Sequence, residues 1–325
     1  MSGIEPGATS AAALPCFQVG IEPPDLAPWR AGNTGIAGFT SHAAEPAGPH
    51  VLLLALTHGN EFAGAIVLDR LLRARLRPLR GRLTIGFANL AAFDAFDPAN
   101  PTATRYIDED LNRLWNPVVL DGPRQSAELA RAREMRPVVE AADVVLDLHS
   151  MLWPSDPLIL SGASPRGRAL AEAVGHPGLV VADRGHDNGP RLIDYPPVTA
   201  EPGTARALLV EAGQHWEPAT IDMTTSCVAG LLRHLGLVRH HPALPPAPAA
   251  APRSAEVSQV VTATSSSFAF VRAFRGGEII PRRNTLIALD GNTEIRTPHD
   301  DCLLVMPSLR PSRGHTAVRL ARFVQ

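Results

Sequence analysis

The sequence predicts an α/β fold, with a mixed, largely parallel sheet flanked by helices and a smaller C-terminal all-β domain. One observation is that short apolar runs such as 51–56 are continuous rather than alternating, which is typical of strands buried on both faces. Another is that such runs alternate with longer stretches of helical character. A third is that strand-like segments alone follow a proline-rich stretch near residue 245. Together these observations favour one layered domain followed by a β domain.

The predicted elements alternate through the first 241 residues. In chain order they are strand 51–56, helix 63–76, strand 82–88, helix 126–140, strand 144–149, helix 166–174, strands 179–182 and 207–211, and helix 228–235. Beyond the prolines, the predicted strands are 257–264, 268–274, 285–289 and 302–306. Gly-rich and Asp-Gly-Asn turns separate them, as expected for hairpins.

Composition divides the chain into four segments. Residues 1–15 are small and polar and are expected to form a flexible tail. Residues 16–241 would form the α/β domain. The Pro- and Ala-rich segment 242–253 is expected to be an extended linker. Residues 254–325 would then form the C-terminal β domain.

The composition also excludes several classes of function. All 30 basic residues are Arg, so enzymes that use a catalytic lysine or a lysine-dependent phosphate loop are excluded. The net charge of -2 gives no electrostatic reason to expect a nucleic-acid or membrane partner. Three distant cysteines without a CxxC pair, and the lack of a recognisable signal peptide, favour a cytoplasmic protein. Whether it is a homo-oligomer is left open.

Three metal-ligating side chains follow predicted strands. His58 and Glu61 lie three positions apart in the turn after strand 51–56, where open α/β sheets place their ligand crevice. His149 ends a later strand, so it emerges at the same edge if the two strands are near neighbours. Three nitrogen and oxygen ligands leave one zinc position open, which is the catalytic arrangement. The same ligand set also accepts cobalt or manganese.

Charged residues that could serve this metal lie on three other stretches. Asp147 shares a strand face with His149 and could orient it. Glu211 ends the apolar strand 207–211 and is a candidate general base. In the loop between strands, Arg105 and Arg113 could divide two tasks, polarising a scissile carbonyl and gripping a substrate carboxylate, with Asn112 alongside.

Five short motifs carry the strongest functional signal. They are His58-Gly59-Asn60-Glu61, Arg105-Tyr106-Ile107-Asp108, Asp110-Leu111-Asn112-Arg113, Asp147-Leu148-His149 and Val210-Glu211-Ala212-Gly213. In this order they resemble the aspartoacylase/succinylglutamate desuccinylase family, relatives of the zinc carboxypeptidases. Segments 286–291 and 305–307 are similar to that family's β domain, so the resemblance runs from about residue 50 to the end.

The resemblance implies a zinc carboxypeptidase-like fold, one zinc ion per chain and a small-molecule N-acyl amino acid as substrate. It implies the following site: His58, Glu61 and His149 as zinc ligands, Glu211 as base, Arg105 as carbonyl polariser, and Asn112 with Arg113 as the clamp on the substrate carboxylate. It also implies that the β domain covers the cleft and narrows it. The expected activity is a deacylase that hydrolyses a linear amide bond.

The sequence departs from the family pattern at three places. Residues 150–153 are largely apolar where aspartoacylase has polar residues, and His315 stands where a substrate-contacting Tyr is expected. The nearest match to a further substrate-binding Arg upstream of the base is Arg206, at a different offset. These departures leave the acyl group and the amino acid open. A metallocarboxypeptidase and a non-catalytic ligand-binding relative are the alternatives.

Overall fold

A computed structural model describes residues 17–185, 188–199, 203–246 and 251–324. The tail expected at 1–15 lies outside the described residues, as do residues 247–250 of the expected linker. No helix of the described part is long and apolar enough to cross a membrane.

The described residues contain fourteen strands and seven α-helices. The strands are β1 (Phe39–Ala43), β2 (His50–Ala55), β3 (Arg82–Phe87), β4 (Val144–Met151), β5 (Leu158–Leu160), β6 (Leu179–Ala182), β7 (Arg206–Gln214), β8 (Arg253–Thr262), β9 (Phe268–Phe270), β10 (Ile279–Ile280), β11 (Leu286–Asp290), β12 (Thr293–Arg296), β13 (Cys302–Val305) and β14 (Thr316–Val324). The helices are α1 (Ala63–Arg73), α2 (Leu90–Asp94), α3 (Pro117–Leu120), α4 (Ala127–Glu140), α5 (Pro165–Val174), α6 (Pro196–Thr199) and α7 (Pro218–His234).

Eleven of these strands form one mixed sheet, in the order β1-β3-β2-β4-β7-β5-β6-β8-β14-β13-β10. The central strands β3, β2, β4 and β7 are parallel. Strand β1 is antiparallel at the edge beside β3, and β5 is antiparallel to β7. The carboxyl ends of the central strands therefore meet at one edge of the sheet.

Helices cover both faces of the sheet. Alternate residues of β2 belong to different cores: Leu53 belongs to the core that includes residues of α1, α5 and α7, and Leu54 belongs to the core that includes residues of α4. Since both faces are buried, the strand reads as a continuous apolar run, which is the reason for the pattern seen at 51–56. The predicted α/β fold class is confirmed.

Residues 251–324 supply strands and, where described, no helix. Four of their strands continue the main sheet through the parallel pairing of β6 with β8. The other three form a separate antiparallel sheet, β12-β11-β9, which packs on a third core. The division into an α/β domain and a β domain at residue 254 stays a prediction, because the strands on either side share one sheet.

The structure also differs from the predicted elements. Strands β1, β5, β10, β12 and β14 were not predicted, and α7 begins at Pro218, ten residues before the helix predicted at 228–235. Strand β5 is only three residues long, and the polar residues of β14 (Arg319, Arg322) interrupt its apolar pattern. Such strands are stabilised by pairing with neighbours that are distant in sequence. They therefore leave little local pattern from which they could be predicted.

Candidate active site

The order of the central strands brings the predicted metal ligands together. Strand β4 lies between β2 and β7 and is parallel to both. The turn after β2 carries His58 and Glu61, and β4 carries His149 near its carboxyl end. Glu211 on β7 pairs directly with His149 in the sheet register. The four side chains therefore converge at one edge.

Close backbone packing fixes the turn that carries the first two ligands. Leu56, the first residue after β2, has a φ of 61°, which turns the chain out of the sheet. Gly59 packs so tightly on α2 that a Cβ atom there would lie 2.3 Å from the carbonyl carbon of Ala92. Its N–H donates to the carbonyl of Arg105 at 3.0 Å. Trp216 Nε1 donates to the carbonyl of Asn60 at 2.9 Å. A larger residue at position 59 would displace both ligands.

The three ligands form a buried group around one carboxylate. Nδ1 of His58 lies 2.8 Å from Glu61 Oε1, and Nδ1 of His149 lies 3.0 Å from Glu61 Oε2. One ligand atom from each residue lies within 4.8 Å of the others. Nδ1 of His58 is buried and forms no hydrogen bond despite this short distance. A cation between the three residues would supply the missing partner, so the group could hold a metal ion.

Outer carboxylates face the second nitrogen of each histidine. Nε2 of His58 lies 2.9 Å from Asp110 Oδ1, and Nε2 of His149 lies 2.8 Å from Asp147 Oδ2. Thr57 in turn donates to Asp147 at 2.8 Å. Such carboxylates orient ligating histidines and make them better ligands. Asp147 therefore occupies the orienting position expected from the sequence, and Asp110 does the same for His58.

The charges of this group shift the pKa values of its members. Burial opposes the charge of Glu61, but His58 and His149 together hold its pKa well below the ordinary range. Burial also opposes the charge of His149, but Asp147 and Glu61 raise its pKa well above the ordinary value. Because a ligating histidine must be neutral, metal binding here would displace a proton from His149.

Glu211 has the environment of a group that exchanges protons. It is 7% exposed, and its Oε2 has no hydrogen-bond partner. Burial and the nearby charge of Glu61 raise its pKa to about 8. A carboxyl group with a pKa near neutrality can both accept and return a proton at physiological pH.

Arg105 reaches the ligand group from the neighbouring loop. Its guanidinium donates to Glu61 Oε1 at 2.9 Å and lies 2.8 Å from His58 Nε2. Burial opposes its charge, but Asp110 and Glu61 raise its pKa, so it stays cationic. A fixed cation at this point could stabilise negative charge that develops beside the metal ligands.

Asn112 and Arg113 also line the cleft. Asn112 is 2% exposed, and its Oδ1 accepts the N–H of Leu192 at 2.8 Å. This bond fixes the amide plane, so the NH₂ group is the donor end of the side chain. Burial lowers the pKa of Arg113 to about 10, and nearby arginines, Arg105 first, act in the same direction. An anionic ligand would relieve this cost.

Three further cleft residues escaped the sequence analysis. His215 is 4% exposed, and its Nδ1 lies 2.7 Å from Ser150 Oγ. A bulge in β7 places it there: His149 pairs with Glu211, whereas Met151 pairs with Gln214, so β7 has one extra residue. Burial and nearby positive charge lower the pKa of His215 to about 4, so it is neutral. Its position four residues after Glu211 was the available signal.

The other two are arginines that are fully enclosed by the fold. Arg191 is 1% exposed and Arg319 is 3% exposed, and both line the cleft. Arg191 follows the loop after β6, and Arg319 belongs to β14. No local pattern marks either residue, because each reaches the cleft from an element far away in the sequence.

The three departures from the family pattern lie in different places. Trp153, within the apolar segment, lines the cleft. His315 is exposed and lies outside the lining of the cleft, although its neighbour Thr316 belongs to it. Arg206 lines a different pocket, so it makes no contact with the cleft.

Comparisons with known proteins agree with this architecture. Residues 47–169 match the family model described as the succinylglutamate desuccinylase/aspartoacylase catalytic domain. A protein named "Probable aspartoacylase" from Parasynechococcus marenigrum is 32% identical over 130 residues, which are 38% of this chain and 41% of that protein. A succinylglutamate desuccinylase from Burkholderia cenocepacia is 26% identical over 307 residues, covering 86% of this chain and 83% of that protein.

A solved structure supports the fold over most of the chain. Succinylglutamate desuccinylase from Vibrio cholerae superposes with a TM-score of 0.67 at 19% identity, covering 89% of this chain and 86% of that chain. At this identity the likeness shows the fold alone. The matched catalytic segment and the relatives in sequence support the succinylglutamate desuccinylase/aspartoacylase family as the one that this chain resembles, and the shared fold agrees with that resemblance.

Proposed function

We propose that this protein is a zinc-dependent amidohydrolase that removes the N-acyl group from an amino acid or a similar small molecule. The observation that carries the proposal is the convergence of His58, Glu61 and His149 on one point, with Glu211 beside them. The match of residues 47–169 to the succinylglutamate desuccinylase/aspartoacylase catalytic domain and the similarity to a succinylglutamate desuccinylase support a deacylase activity. The donor set supports zinc, since two histidines and one glutamate leave a position open for catalysis.

The shape of the cleft supports a small substrate. Its volume is about 210 Å³, which suits an amino-acid derivative rather than a folded polypeptide. Met306, which follows β13, and Arg319 of β14 form part of its wall. The three candidate metal ligands also line it and are at most 5% exposed. This enclosure supports a deacylase over a carboxypeptidase that accepts long chains.

In the proposed complex, Arg113 and Asn112 bind the carboxylate of the substrate. The guanidinium offers a planar pair of donors, and the Asn112 amide adds a third. Leu192 holds the amide oxygen, which fixes the orientation of the NH₂ group. Binding at this clamp would place the acyl group toward the metal ligands, because Arg105 and Arg113 lie on the same loop.

The chain supplies the proton transfers and part of the charge stabilisation. When bound, a zinc ion would polarise the acyl carbonyl, lower the pKa of a water molecule and lower the pKa of Glu211 through its positive charge. Glu211 accepts a proton from the attacking water and then returns it to the nitrogen of the departing amine. Arg105 donates to the acyl oxygen as negative charge develops there. Asp110 and Asp147 keep the two histidines oriented throughout.

A pair of variants separates the proposed roles. Glu211→Gln should retain one zinc ion per chain and lose about 10²- to 10⁴-fold in kcat on an N-acyl amino acid, because it cannot take up the proton. His149→Ala should lose the metal itself, as measured by elemental analysis. Glu294→Gln and His240→Ala, at exposed sites far from the cleft, are the matched controls.

The alternatives predict different results in the same experiment. A metallocarboxypeptidase would hydrolyse C-terminal peptides faster than N-acyl amino acids. A non-catalytic binding protein would release no amine from any N-acyl compound even when loaded with metal, while Glu211→Gln would bind such a compound as well as wild type does. Zinc content that is equal in wild type and His149→Ala would contradict the proposed metal site.

A further inference from the structure

Four arginines line the cleft: Arg105, Arg113, Arg191 and Arg319. Their number alone suggests a strongly anionic substrate. Whether the substrate is strongly anionic depends on what each arginine already contacts. An arginine that is paired with a buried carboxylate gains little from a second anion, because it would have to share its donors.

Arg191 is fully engaged by carboxylates of this chain. Nη1 and Nη2 donate to Asp183 at 3.0 and 2.6 Å, while Nε and Nη2 donate to Asp194 at 2.7 and 3.0 Å. Every nitrogen of the guanidinium is therefore used within the fold. Arg191 lines the cleft with a charge that two acids have already neutralised.

Arg319 and Arg105 also face acids of the protein. Arg319 Nε lies 3.2 Å from Asp183 Oδ2. Arg105 contacts Glu61 at 2.9 Å and Asp110 at 3.4 Å. Arg105 is moreover committed to the reacting carbonyl in the proposed mechanism.

Arg113 is different. Its Nη1 donates to a backbone carbonyl, that of Asn112, at 2.6 Å, and not to a carboxylate. Asp110 acts on it only through its charge and is already in contact with Arg105 and His58. Within the described cleft, Arg113 is thus the arginine best placed to take a carboxylate from outside.

Apart from the arginines, the three candidate metal ligands and Glu211, the described cleft wall is uncharged. Its apolar part consists of Met151, Leu152, Trp153, Leu160, Leu209, Met306 and Pro307. Two of its polar side chains, Ser150 and His215, are bonded to each other at 2.7 Å, and the remaining hydroxyl groups, those of Ser308 and Thr316, carry no charge. An ionised carboxylate placed against this wall would lose its hydration without gaining a partner, which is costly.

We propose that the substrate carries a single carboxylate, bound by Arg113 and Asn112, and that both its acyl group and its amino-acid side chain are uncharged. The inference rests on the proposed function and narrows it to N-acyl derivatives of neutral amino acids. Among the arginines of the described cleft, Arg113 is the one that contacts no carboxylate of the protein, and it matches the single carboxylate of the substrate. The apolar wall receives the remainder of the molecule.

Matched substrate pairs test the inference on zinc-loaded wild type. N-acetylglutamine is compared with N-acetylglutamate, and N-butanoylmethionine with N-succinylmethionine, so that each pair differs mainly by one carboxylate. We expect kcat/KM to be at least about 10-fold higher for the uncharged member of each pair, since a buried unpaired charge costs more than one factor of ten. N-succinylglutamate should be a poor substrate. Equal or better hydrolysis of the dicarboxylates would overturn the inference while leaving the proposed function intact.

Binding provides a second measurement that does not depend on turnover. Calorimetric titration of zinc-loaded Glu211→Gln with the same pairs should rank them in the same order. The reverse order would overturn the inference even if no turnover were seen. Failure of every compound to bind or react would contradict both the inference and the proposed function.

Two arginine variants assign the carboxylate contact. Arg113→Gln should weaken both members of each pair by a similar factor, because both lose the same contact. Arg319→Gln should leave the ratio within each pair unchanged, whatever its effect on the absolute rate. A selective loss of the dicarboxylate in Arg319→Gln would show that Arg319 binds a second carboxylate and would overturn the inference. If Arg319→Gln does not fold, the wild-type ratios decide.

Discussion

Glu211 is a carboxylic acid held where its own charge is unfavourable. Burial and Glu61 raise its pKa to about 8, compared with an ordinary value of 4.5. The folded protein without metal therefore binds a proton here that the unfolded chain releases at lower pH. Folding stability must fall as the pH rises between these two values. A site prepared for proton transfer thus costs stability until a cation occupies it.

This linkage predicts that Glu211→Gln stabilises the metal-free protein. The gain should be close to zero below about pH 4, should grow as the unfolded carboxyl ionises, and should level off above about pH 8, where the folded carboxyl has ionised as well. Thermal unfolding in the presence of a chelator measures it across this range, with Glu294→Gln as the control. A gain that is constant with pH would show that packing, and not ionisation, causes the effect.

At the scale of the element, a buried carboxylate holds the loop that carries the arginines. Glu128, in the first turn of α4, is 1% exposed. Its Oε1 accepts the N–H of Ile107 at 2.6 Å, and its Oε2 accepts those of Asp108 and Glu109 at 3.0 and 3.2 Å. The loop has no strand partner at these N–H groups, so a helix side chain takes that role. The positions of Arg105 and Arg113 depend on it.

Glu128→Gln should therefore weaken both the fold and substrate binding. The amide replaces one charged acceptor by a donor that faces other donors, which should cost about 1–3 kcal/mol of unfolding free energy. The KM for an N-acyl amino acid should rise more than kcat falls, because the clamp is displaced while Glu211 and the metal ligands remain. Urea unfolding and steady-state kinetics measure the two effects.

Glu134→Gln is the matched control on the same helix. Glu134 is exposed and pairs with Arg131 at 2.6 Å, so its loss should cost less than about 1 kcal/mol and leave KM unchanged. Similar effects of the two substitutions would contradict the role of Glu128 in holding the loop.

At the scale of the whole molecule, the cleft depends on a contact between the C-terminal strands and the segment that follows β6. Strand β14 lies beside β8 at the far side of the sheet, and its Arg319 reaches Asp183, which follows β6. The same carboxylate binds Arg191. Burial opposes the charge of Asp183, but Arg191 and Arg319 lower its pKa below the ordinary 3.8. Asp183 therefore links the C-terminal strands to the segment of Arg191 and Leu192, whose Leu192 N–H binds the side chain of Asn112.

Asp183→Asn should destabilise the protein by about 3–5 kcal/mol at neutral pH, because it leaves buried arginines without part of their counter-charge. Since the folded pKa is lowered, this contribution is present above about pH 4 and is lost as the pH falls through the folded pKa. The difference between wild type and variant should therefore shrink in acid. Denaturant unfolding at several pH values measures it.

Asp156→Asn is the control for this link. Asp156 and Arg275 also join the two parts of the chain, at 2.8 Å, but both side chains are more than half exposed. Its loss should cost less than about 1 kcal/mol. An Asp183→Asn protein as stable as the Asp156→Asn protein would exclude the buried link as a stabilising element.

Much of the site could be predicted from the residues at strand ends. His58, Glu61, His149 and Glu211 each follow or end a continuous apolar run, and parallel strands deliver such residues to one edge. The α/β fold class followed from the same runs, because strands buried on both faces leave a local signal in the sequence. The roles assigned to Glu211, Arg105, Asn112 and Arg113 remain predictions, although the structure places all four at the cleft.

By itself, therefore, the sequence determined the fold class and the residues that gather at the edge of the sheet, because burial and strand direction are encoded locally. The residues that form the walls of the cleft became known only from the tertiary structure. His215 arrives through a bulge in β7, and Arg191 and Arg319 arrive from a loop and from a strand on the far side of the sheet. His215 contacts Ser150 and Arg319 contacts Asp183, in both cases across a long stretch of sequence, and no periodic pattern records such pairings. Those tertiary contacts determine which arginines of the cleft are already neutralised. The proposed choice of substrate depends on them for the same reason.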